Sequence, residues 1–140
     1  MRPHRGLTWV SFLLLAMVAG AFYWLFTFGE AYWDDFEVKG ILHQAAARCY
    51  NTDEEHVRAF VFGQLHNVFD MEVEDRTGRL VKVLKIDVAE DDLRIERNQV
   101  PAYVHIWLTY SRVVKLPLVG QTRTLTFNDH AEQDLTPVKW

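Results

Sequence analysis

The stretch Leu7–Phe28, LTWVSFLLLAMVAGAFYWLFTF, decides how the chain is organised. It contains no charged residue, and as an α-helix it would be about 33 Å long at ~1.5 Å per residue. The hydrocarbon core of a bilayer is ~30 Å thick, so the stretch predicts a transmembrane helix. Everything after it must then fold on one side of a membrane, tethered at its N-terminal end.

The charges on either side of this stretch predict its orientation. Arg2 and Arg5 precede it, and the first charged residues after it are acidic, beginning with Glu30. Basic flanking residues stay in the cytoplasm, so we expect a single-pass protein of the cytoplasmic membrane with its C-terminal part outside, in the periplasm. The expected divisions are a leader at 1–6, a membrane span at 7–28, an extracytoplasmic domain at 29–130 and a tail at 131–140.

A cleaved secretory signal is the alternative interpretation of the same stretch. Ala19, Gly20 and Ala21 are the small residues that a signal peptidase requires, and they follow a basic start and an apolar run. The apolar run continues beyond them as FYWLFTF, which is a poor beginning for a mature soluble protein. We therefore favour an uncleaved anchor.

The remaining part of the chain has the size and composition of one small domain. The protein has 140 residues, of which 49% are hydrophobic and 14% aromatic, enough for a packed core. It carries 15 Lys and Arg against 19 Asp and Glu, and two of the basic residues lie in the leader. This acidic balance argues against nucleic acid as a partner. Cys49, the only cysteine, is expected to be a buried thiol.

Two hydrophobic periods predict an α+β fold. Apolar residues recur with helical spacing from Val38 to Cys49, so the membrane helix is expected to continue as an amphipathic helix to about Arg48. A second helix is expected up to about Phe69. Alternating patterns then predict a small antiparallel sheet that ends in a hairpin with a Pro-Leu-Val-Gly connection at residues 117–120. We expect both helices to pack on one face of that sheet, in a pilin-like layout.

The segment RGLTWVS at residues 5–11 resembles the start of type IV pilins and pseudopilins. In those proteins a basic leader ends in glycine, and the prepilin peptidase cuts after it. The resemblance implies processing between Gly6 and Leu7. Ser11 stands where those proteins have a glutamate that helps subunits enter a filament, so the resemblance extends to cleavage more than to filament assembly.

A second resemblance rests on YSRVVKLPLVG at residues 110–120 and LTFND at residues 125–129. Together with the anchor, these segments are similar to a family of short bacterial inner-membrane proteins of unknown function. Members have a pilin-like beginning, a helical section and a late hairpin with a Pro-Leu-Phe-Gly connection. Val119 takes the place of that phenylalanine here. The resemblance implies architecture and location, and it implies no activity.

The sequence offers no set of residues that commits the chain to catalysis. No His-x-x-x-His pair, thiolate zinc set, glycine-rich phosphate loop or Gly-x-Ser-x-Gly turn occurs in it. The acidic groups at Glu72, Glu74 and residues 90–92 lack calcium-loop spacing and are expected to be solvated. We therefore expect no enzyme activity, no cofactor and no metal.

One row of residues on the predicted hairpin suggests an interaction face. If the helices cover the side of the strand that carries Val104, the opposite side points away from them. Exposed aromatic side chains are favoured at protein interfaces. The alternative is that a second layer of the domain covers the row. Its members are Tyr103, His105, Trp107 and Thr109.

Three functional hypotheses follow from these patterns. The first is a non-enzymatic structural or assembly subunit of a cell-envelope complex, whose partners are the lipid bilayer and other envelope membrane proteins or further copies of itself. The second is a minor pilin-like or pseudopilin-like subunit processed after Gly6. The third is a membrane-tethered module that binds a small ligand or a metal.

Overall fold

A single helix, α1, runs from Trp9 to Arg48 in this computed structural model, which describes residues 8–137. The helix is continuous through the junction between the apolar stretch and the amphipathic stretch, as the sequence predicts. Its first half is exposed and carries large apolar side chains, and an 18-residue window of α1 has a mean hydropathy of 2.0. By length and composition, α1 is able to cross a membrane.

The second half of α1 packs against the rest of the chain along one face. This face matches the predicted periodic stripe, and Cys49 at its end is 1% exposed, which confirms the expectation of a buried thiol. Burial also raises the pKa of the Cys49 thiol. The buried apolar residues of this face are Val38, Ile41, Leu42, Ala45, Ala46 and Cys49.

The second helix, α2, spans Glu54–Phe69 and packs on α1. Its buried residues are Val57, Val61, Leu65 and Phe69, spaced by four so that they form one stripe. Val68 follows Leu65 by three residues, a spacing that also fits a helical stripe, but it is 45% exposed. Because a spacing of four residues exceeds the helical period of 3.6, the stripe rotates gradually around the helix, and Val68 lies to one side of it.

The strands form two antiparallel sheets, where the sequence predicted a single small one. The first is a hairpin of β1 (Asp70–Glu74) and β2 (Leu80–Leu84), whose residues are almost all exposed. Its turn contains Gly78, with φ of +75°, a conformation that residues with a Cβ rarely adopt. The apolar residues of this hairpin alternate as expected, but they lie outside the core. Because the same alternation occurs in the strands of the main sheet, the sequence pattern did not show that this hairpin forms a sheet of its own.

The second sheet contains β3 (Leu93–Gln99), β4 (Ala102–Lys115) and β5 (Thr122–Asp134) in that order. A 3-10 turn at Glu90–Asp92 leads into β3. The long β4–β5 hairpin confirms the predicted hairpin and its connection at residues 117–120. β5 continues to Asp134, and Ala131 is 2% exposed, so the folded domain extends beyond the boundary placed at residue 130. The residues from Ala131 onward show no clear hydrophobic period, which is why they were assigned to a tail.

The core lies between the two helices and one face of the second sheet. Buried residues of α1 and α2 meet the inward side chains of β3, β4 and β5. The fold is therefore α+β, with the helices on one side of the three-stranded sheet and the other side facing away from them. The largest buried side chains contributed by the sheet are Ile106, Leu108 and Tyr110.

Candidate interaction and metal-binding face

Strand β4 alternates strictly between buried and partly exposed residues. Val104, Ile106 and Leu108 are fully buried under the helices, whereas the residues between them are only partly buried. We call the side of the three-stranded sheet that faces away from the helices the open face. The four residues of the predicted interaction row all lie on it: Tyr103, His105, Trp107 and Thr109.

Strand β5 adds a second row of polar side chains to the open face. In the antiparallel register, Glu132 lies opposite His105, and His130 lies opposite Trp107. Directly opposed side chains on one face of a sheet have Cβ atoms ~5 Å apart and therefore interact. The open face is thus a two-row surface formed by neighbouring strands.

Two imidazoles and a carboxylate meet at the centre of this surface. His105 Nδ1 lies 3.1 Å from His130 Nε2 and 3.7 Å from the nearer carboxylate oxygen of Glu132. One ligand atom from each residue lies within 4.8 Å of the other two. His105 has a side-chain exposure of 24% and Glu132 one of 58%, so the group is open to solvent and to a ligand.

Aromatic stacking holds these side chains in place. The Trp107 ring lies nearly parallel to both imidazoles, with centroid distances of 5.5 Å to His105 and 5.0 Å to His130. Tyr103 stacks on the other side of His105 at 6.0 Å. From β3, the guanidinium of Arg94 lies 5.5 Å from the centre of the Trp107 ring, within the range of a cation–π contact. The result is a continuous amphipathic surface of flat side chains.

Sequence reasoning found half of this site. The row on β4 was predicted from its alternation, but His130 and Glu132 were not linked to it. A signal for them exists in the predicted turn. Counting outward from residues 117–120 in an antiparallel hairpin pairs residue 115 with 122 and, further out, 105 with 132. The alternative of a second layer over the row is wrong for Trp107, which the structure leaves partly exposed.

The other predicted site lies outside the described residues. Processing between Gly6 and Leu7 concerns a part of the chain for which the structure gives no description. That expectation stays a prediction.

The opposite face of the same sheet carries a buried polar cluster, which we call the polar junction. Here Arg112 of β4 forms an ion pair with Asp34 of α1, and both residues are buried. A second nitrogen of Arg112 lies 3.3 Å from the Glu30 carboxylate. Lys85, which follows β2, pairs with Glu30 and lies 3.2 Å from Asp34. Its hydrogen bond holds the pKa of Glu30 below the ordinary value.

The polar junction continues one turn further along α1. The Tyr110 hydroxyl donates a 2.7 Å hydrogen bond to Asp35, and Lys39 donates one of 2.6 Å to the other oxygen of the same carboxylate. Although burial acts to raise the pKa of Asp35, these two hydrogen bonds outweigh it and lower the pKa.

Asp129 of β5 is the least satisfied member of the polar junction. It is 4% exposed, and its Oδ2 has no hydrogen-bond partner within residues 8–137. Lys39 lies 3.8 Å from its other oxygen. Burial, reinforced by the neighbouring Asp35 carboxylate, raises the pKa of Asp129 to about 7. The two carboxyl groups therefore favour a state in which Asp129 holds a proton.

The two faces are suited to different tasks. The polar junction joins α1 to the sheet through specific contacts of buried side chains, and Glu30 and Lys39 lie at its solvent-exposed edge. The open face offers flat aromatic surface, two imidazoles and a carboxylate to whatever approaches from outside. Its chemistry is that of binding: stacking, hydrogen bonding and coordination of a divalent cation.

Comparison of the chain with models of known protein families found no match. No curated protein and no solved structure matched it either. The resemblances to pilins and to a family of short inner-membrane proteins therefore stay predictions, and any statement of function rests on the geometry described above.

Proposed function

We propose that the protein is a non-enzymatic, single-pass membrane subunit that binds another protein of the cell envelope through its open face. The first half of α1 would lie in the cytoplasmic membrane, with the N-terminus inside and the α+β domain outside. The observation that carries the proposal is the partly exposed row of Tyr103, His105 and Trp107, on a sheet that is joined to α1 through a buried ion pair. Partly exposed Tyr and Trp side chains are enriched at protein interfaces.

The proposal is tested by site-specific photocrosslinking of the full chain in native membranes. A photoreactive amino acid placed at Thr109 samples the open face, and one placed at Lys82 on the β1–β2 hairpin is the control. We expect one discrete adduct from position 109, either with a second protein or with a second copy of the chain, and none from position 82. The substitution Trp107→Ser should abolish the adduct from position 109.

Two outcomes of this experiment would contradict the proposal. One is the absence of any adduct from position 109 while the protein is folded and membrane-bound. The other is an equal adduct from both positions, which would indicate random collision in the membrane. A homotypic adduct would identify self-association, and a heterotypic adduct would identify an envelope partner.

A processed, pilin-like subunit is the second form of this proposal. It is supported by the unbroken helix from Trp9 to Arg48, whose exposed apolar half leads into a half packed on a domain. Cleavage after Gly6 would remove the basic leader. The intact mass of the mature protein is the test, because a species lacking residues 1–6 supports processing and a species that retains Arg2 and Arg5 excludes it.

Metal binding is a second candidate function, favoured by the cluster of His105, His130 and Glu132. Zinc takes imidazole nitrogens and carboxylate oxygens at ~2.0–2.2 Å in tetrahedral geometry, which places neighbouring ligand atoms about 3.3 Å apart. The 3.1 and 3.7 Å separations at His105 bracket that value. Three protein ligands would leave a fourth position for water or for a group from a partner.

Calorimetric titration of zinc into the metal-free full chain in detergent, after removal of any affinity tag, tests this candidate. We expect stoichiometric binding that weakens about 100-fold in His130→Ala and about 10-fold in Glu132→Gln. His66→Ala is the matched control, because His66 is exposed on α2 and pairs only with Asp70 among the described contacts. No binding by the natural sequence, or equal weakening by the control, would exclude the site.

A further inference from the structure

The β4–β5 hairpin runs along α1 toward the membrane end of that helix. Successive contacts fix this direction: Asp129 lies near Lys39, Tyr110 bonds to Asp35, and Arg112 pairs with Asp34. Moving toward the turn of the hairpin therefore means moving toward the N-terminus of α1. The turn at residues 116–121 therefore lies toward the end of α1 that contains the apolar stretch.

The lower end of the hairpin reaches the helix within its apolar stretch. Val114, Lys115 and Pro117 share the wall of one open groove with Phe26 and Thr27 of α1. Both helix residues lie inside the stretch Leu7–Phe28 that the sequence assigns to the bilayer. The turn of the hairpin thus lies beside a part of α1 that would be surrounded by lipid or headgroups.

Burial along α1 shows how far this packing extends. Ala31 is 1% exposed and Thr27 8% exposed, and the hydroxyl of Tyr23 is also buried. These three residues are spaced by four and lie on one face of the helix. Tyr23 lies about 7–8 Å below Phe28 at ~1.5 Å per residue, a depth that corresponds to the interfacial region and the outermost hydrocarbon.

The turn has the composition of a membrane-contacting loop. Residues 116–121, LPLVGQ, contain no charge, and Leu118 and Val119 are 83% and 60% exposed. The turn is well defined, because Leu116 N–H donates to Gln121 O at 2.8 Å and Gly120 N–H donates to Leu116 O at 3.1 Å. Gly120 adopts φ of +67°, as such a tight turn requires. Lys115 and Arg123 flank it as exposed cations within an otherwise acidic chain.

We propose that the tip of the β4–β5 hairpin inserts into the outer interfacial region of the bilayer that α1 crosses. Leu118 and Val119 enter the interface, and Lys115 and Arg123 extend to anionic headgroups, as basic side chains do at membrane surfaces. The bilayer is the occupant because the tip continues the same surface as the membrane-spanning part of α1. The domain would then contact the membrane at two points, which fixes its tilt and its rotation about α1.

This inference rests on the proposed membrane span, and the test separates the two. In a Cys49→Ala background, single cysteines are introduced as Leu118→Cys, Val100→Cys and Val18→Cys and labelled with an environment-sensitive fluorophore. The full chain is placed in vesicles of phosphatidylethanolamine and phosphatidylglycerol that contain a lipid-borne quencher. Position 100 is 93% exposed between β3 and β4, at the opposite end of β4 from the tip, and is the aqueous control; position 18 is the control within the span.

We expect strong quenching and a blue-shifted emission at position 18, intermediate quenching at 118 and an aqueous emission at 100. A label at 118 as aqueous as that at 100, with position 18 quenched, would overturn the tip insertion and leave the span intact. Aqueous labels at both 18 and 118 would overturn the span and the tip together. A blue-shifted label at 118 without quenching by lipid would indicate contact with protein instead and would also overturn the proposal.

A second variant tests the role of the apolar side chain. In the chain labelled at position 119 through Val119→Cys, the added substitution Leu118→Asp should remove most of the lipid quenching, whereas Leu118→Ile should preserve it. Unchanged quenching in the aspartate variant would show that the tip rests near lipid without inserting. That result would overturn the proposed insertion.

Discussion

The two faces of the three-stranded sheet carry polar side chains in opposite environments. On strand β4, Tyr110 and Arg112 point inward and bond to carboxylates of α1, whereas His105 and Trp107 point outward and bond only to neighbours on the sheet. The inward polar groups are buried and paired, so their loss exposes an uncompensated partner. The outward groups remain near water, so their loss costs little in stability. A polar residue on this sheet is therefore structural or available for binding according to the side it faces.

The largest expected effect comes from breaking the polar junction at Arg112. The substitution Arg112→Met leaves the Asp34 carboxylate buried without its closest cation, and we expect the free energy of unfolding to fall by about 3–5 kcal/mol. Thermal unfolding of the full chain in detergent measures it. Arg79→Met, at an exposed position on the β1–β2 hairpin, is the control and should change stability by less than about 0.5 kcal/mol. Equal effects of the two substitutions would mean that the junction does not stabilise the fold.

The proton on Asp129 makes part of the junction dependent on pH. A carboxyl whose pKa is raised to about 7 in the fold stabilises the protein fully below its ordinary value of 3.8, and that contribution is lost as pH rises through 7. Asp129→Asn avoids the buried charge. We expect it to stabilise the protein by an amount on the order of 2–3 kcal/mol near pH 8 and to have little effect near pH 4, measured by thermal unfolding. A loss of stability at pH 8 would show that the ion pair with Lys39 dominates.

A matched pair of tyrosines compares the two faces directly. Tyr110→Phe removes a buried hydrogen bond to the Asp35 carboxylate and should cost about 1.5–2 kcal/mol. Tyr103→Phe makes the same chemical change seven residues earlier on the open face and should cost less than about 0.5 kcal/mol. Unfolding curves of both variants at neutral pH provide the measurement. Similar losses from the two changes would contradict the division of roles between the faces.

The smallest effect is expected at the centre of the open face. His105→Gln should change the free energy of unfolding by less than about 0.5 kcal/mol while removing a ligand from the proposed zinc site. Stability and zinc affinity are measured on the same preparation. If the substitution costs more than about 1.5 kcal/mol, the stacked rings support the sheet and their availability for binding is in doubt.

Much of this architecture is visible in the sequence because it is encoded locally. The uncharged run to Phe28 and the periodic stripe that ends at Cys49 predict α1 without reference to any other element. The alternation from Tyr103 to Tyr110 predicts β4 and identifies which residues share a face. Local periodicity is sufficient wherever one element has one buried side.

The polar junction and the pairing of the two histidines could not be predicted, because they depend on contacts between residues far apart in the sequence. Asp34 and Asp35 resemble ordinary acidic residues after a membrane span, and their burial follows only from the placement of Arg112 and Tyr110 beside them. His130 joins His105 through the register of a long hairpin, and no periodic signal marks residues 131–134 as strand. Pairings of this kind are set by tertiary structure, and a single sequence does not display them.

In the proposed membrane arrangement, the contacts that join α1 to the sheet also set the height of the open face above the bilayer. Asp129, next to His130, lies level with Lys39, and the rise of α1 from Phe28 to Lys39 is about 16 Å at ~1.5 Å per residue. The headgroup layer extends only ~5–8 Å beyond the hydrocarbon, and charges are screened within ~8 Å in physiological salt. In that arrangement, a membrane protein with only short loops outside the bilayer would not reach His130. Contact with His130 would require a partner whose own domain extends beyond the headgroup layer, or a soluble protein outside the membrane.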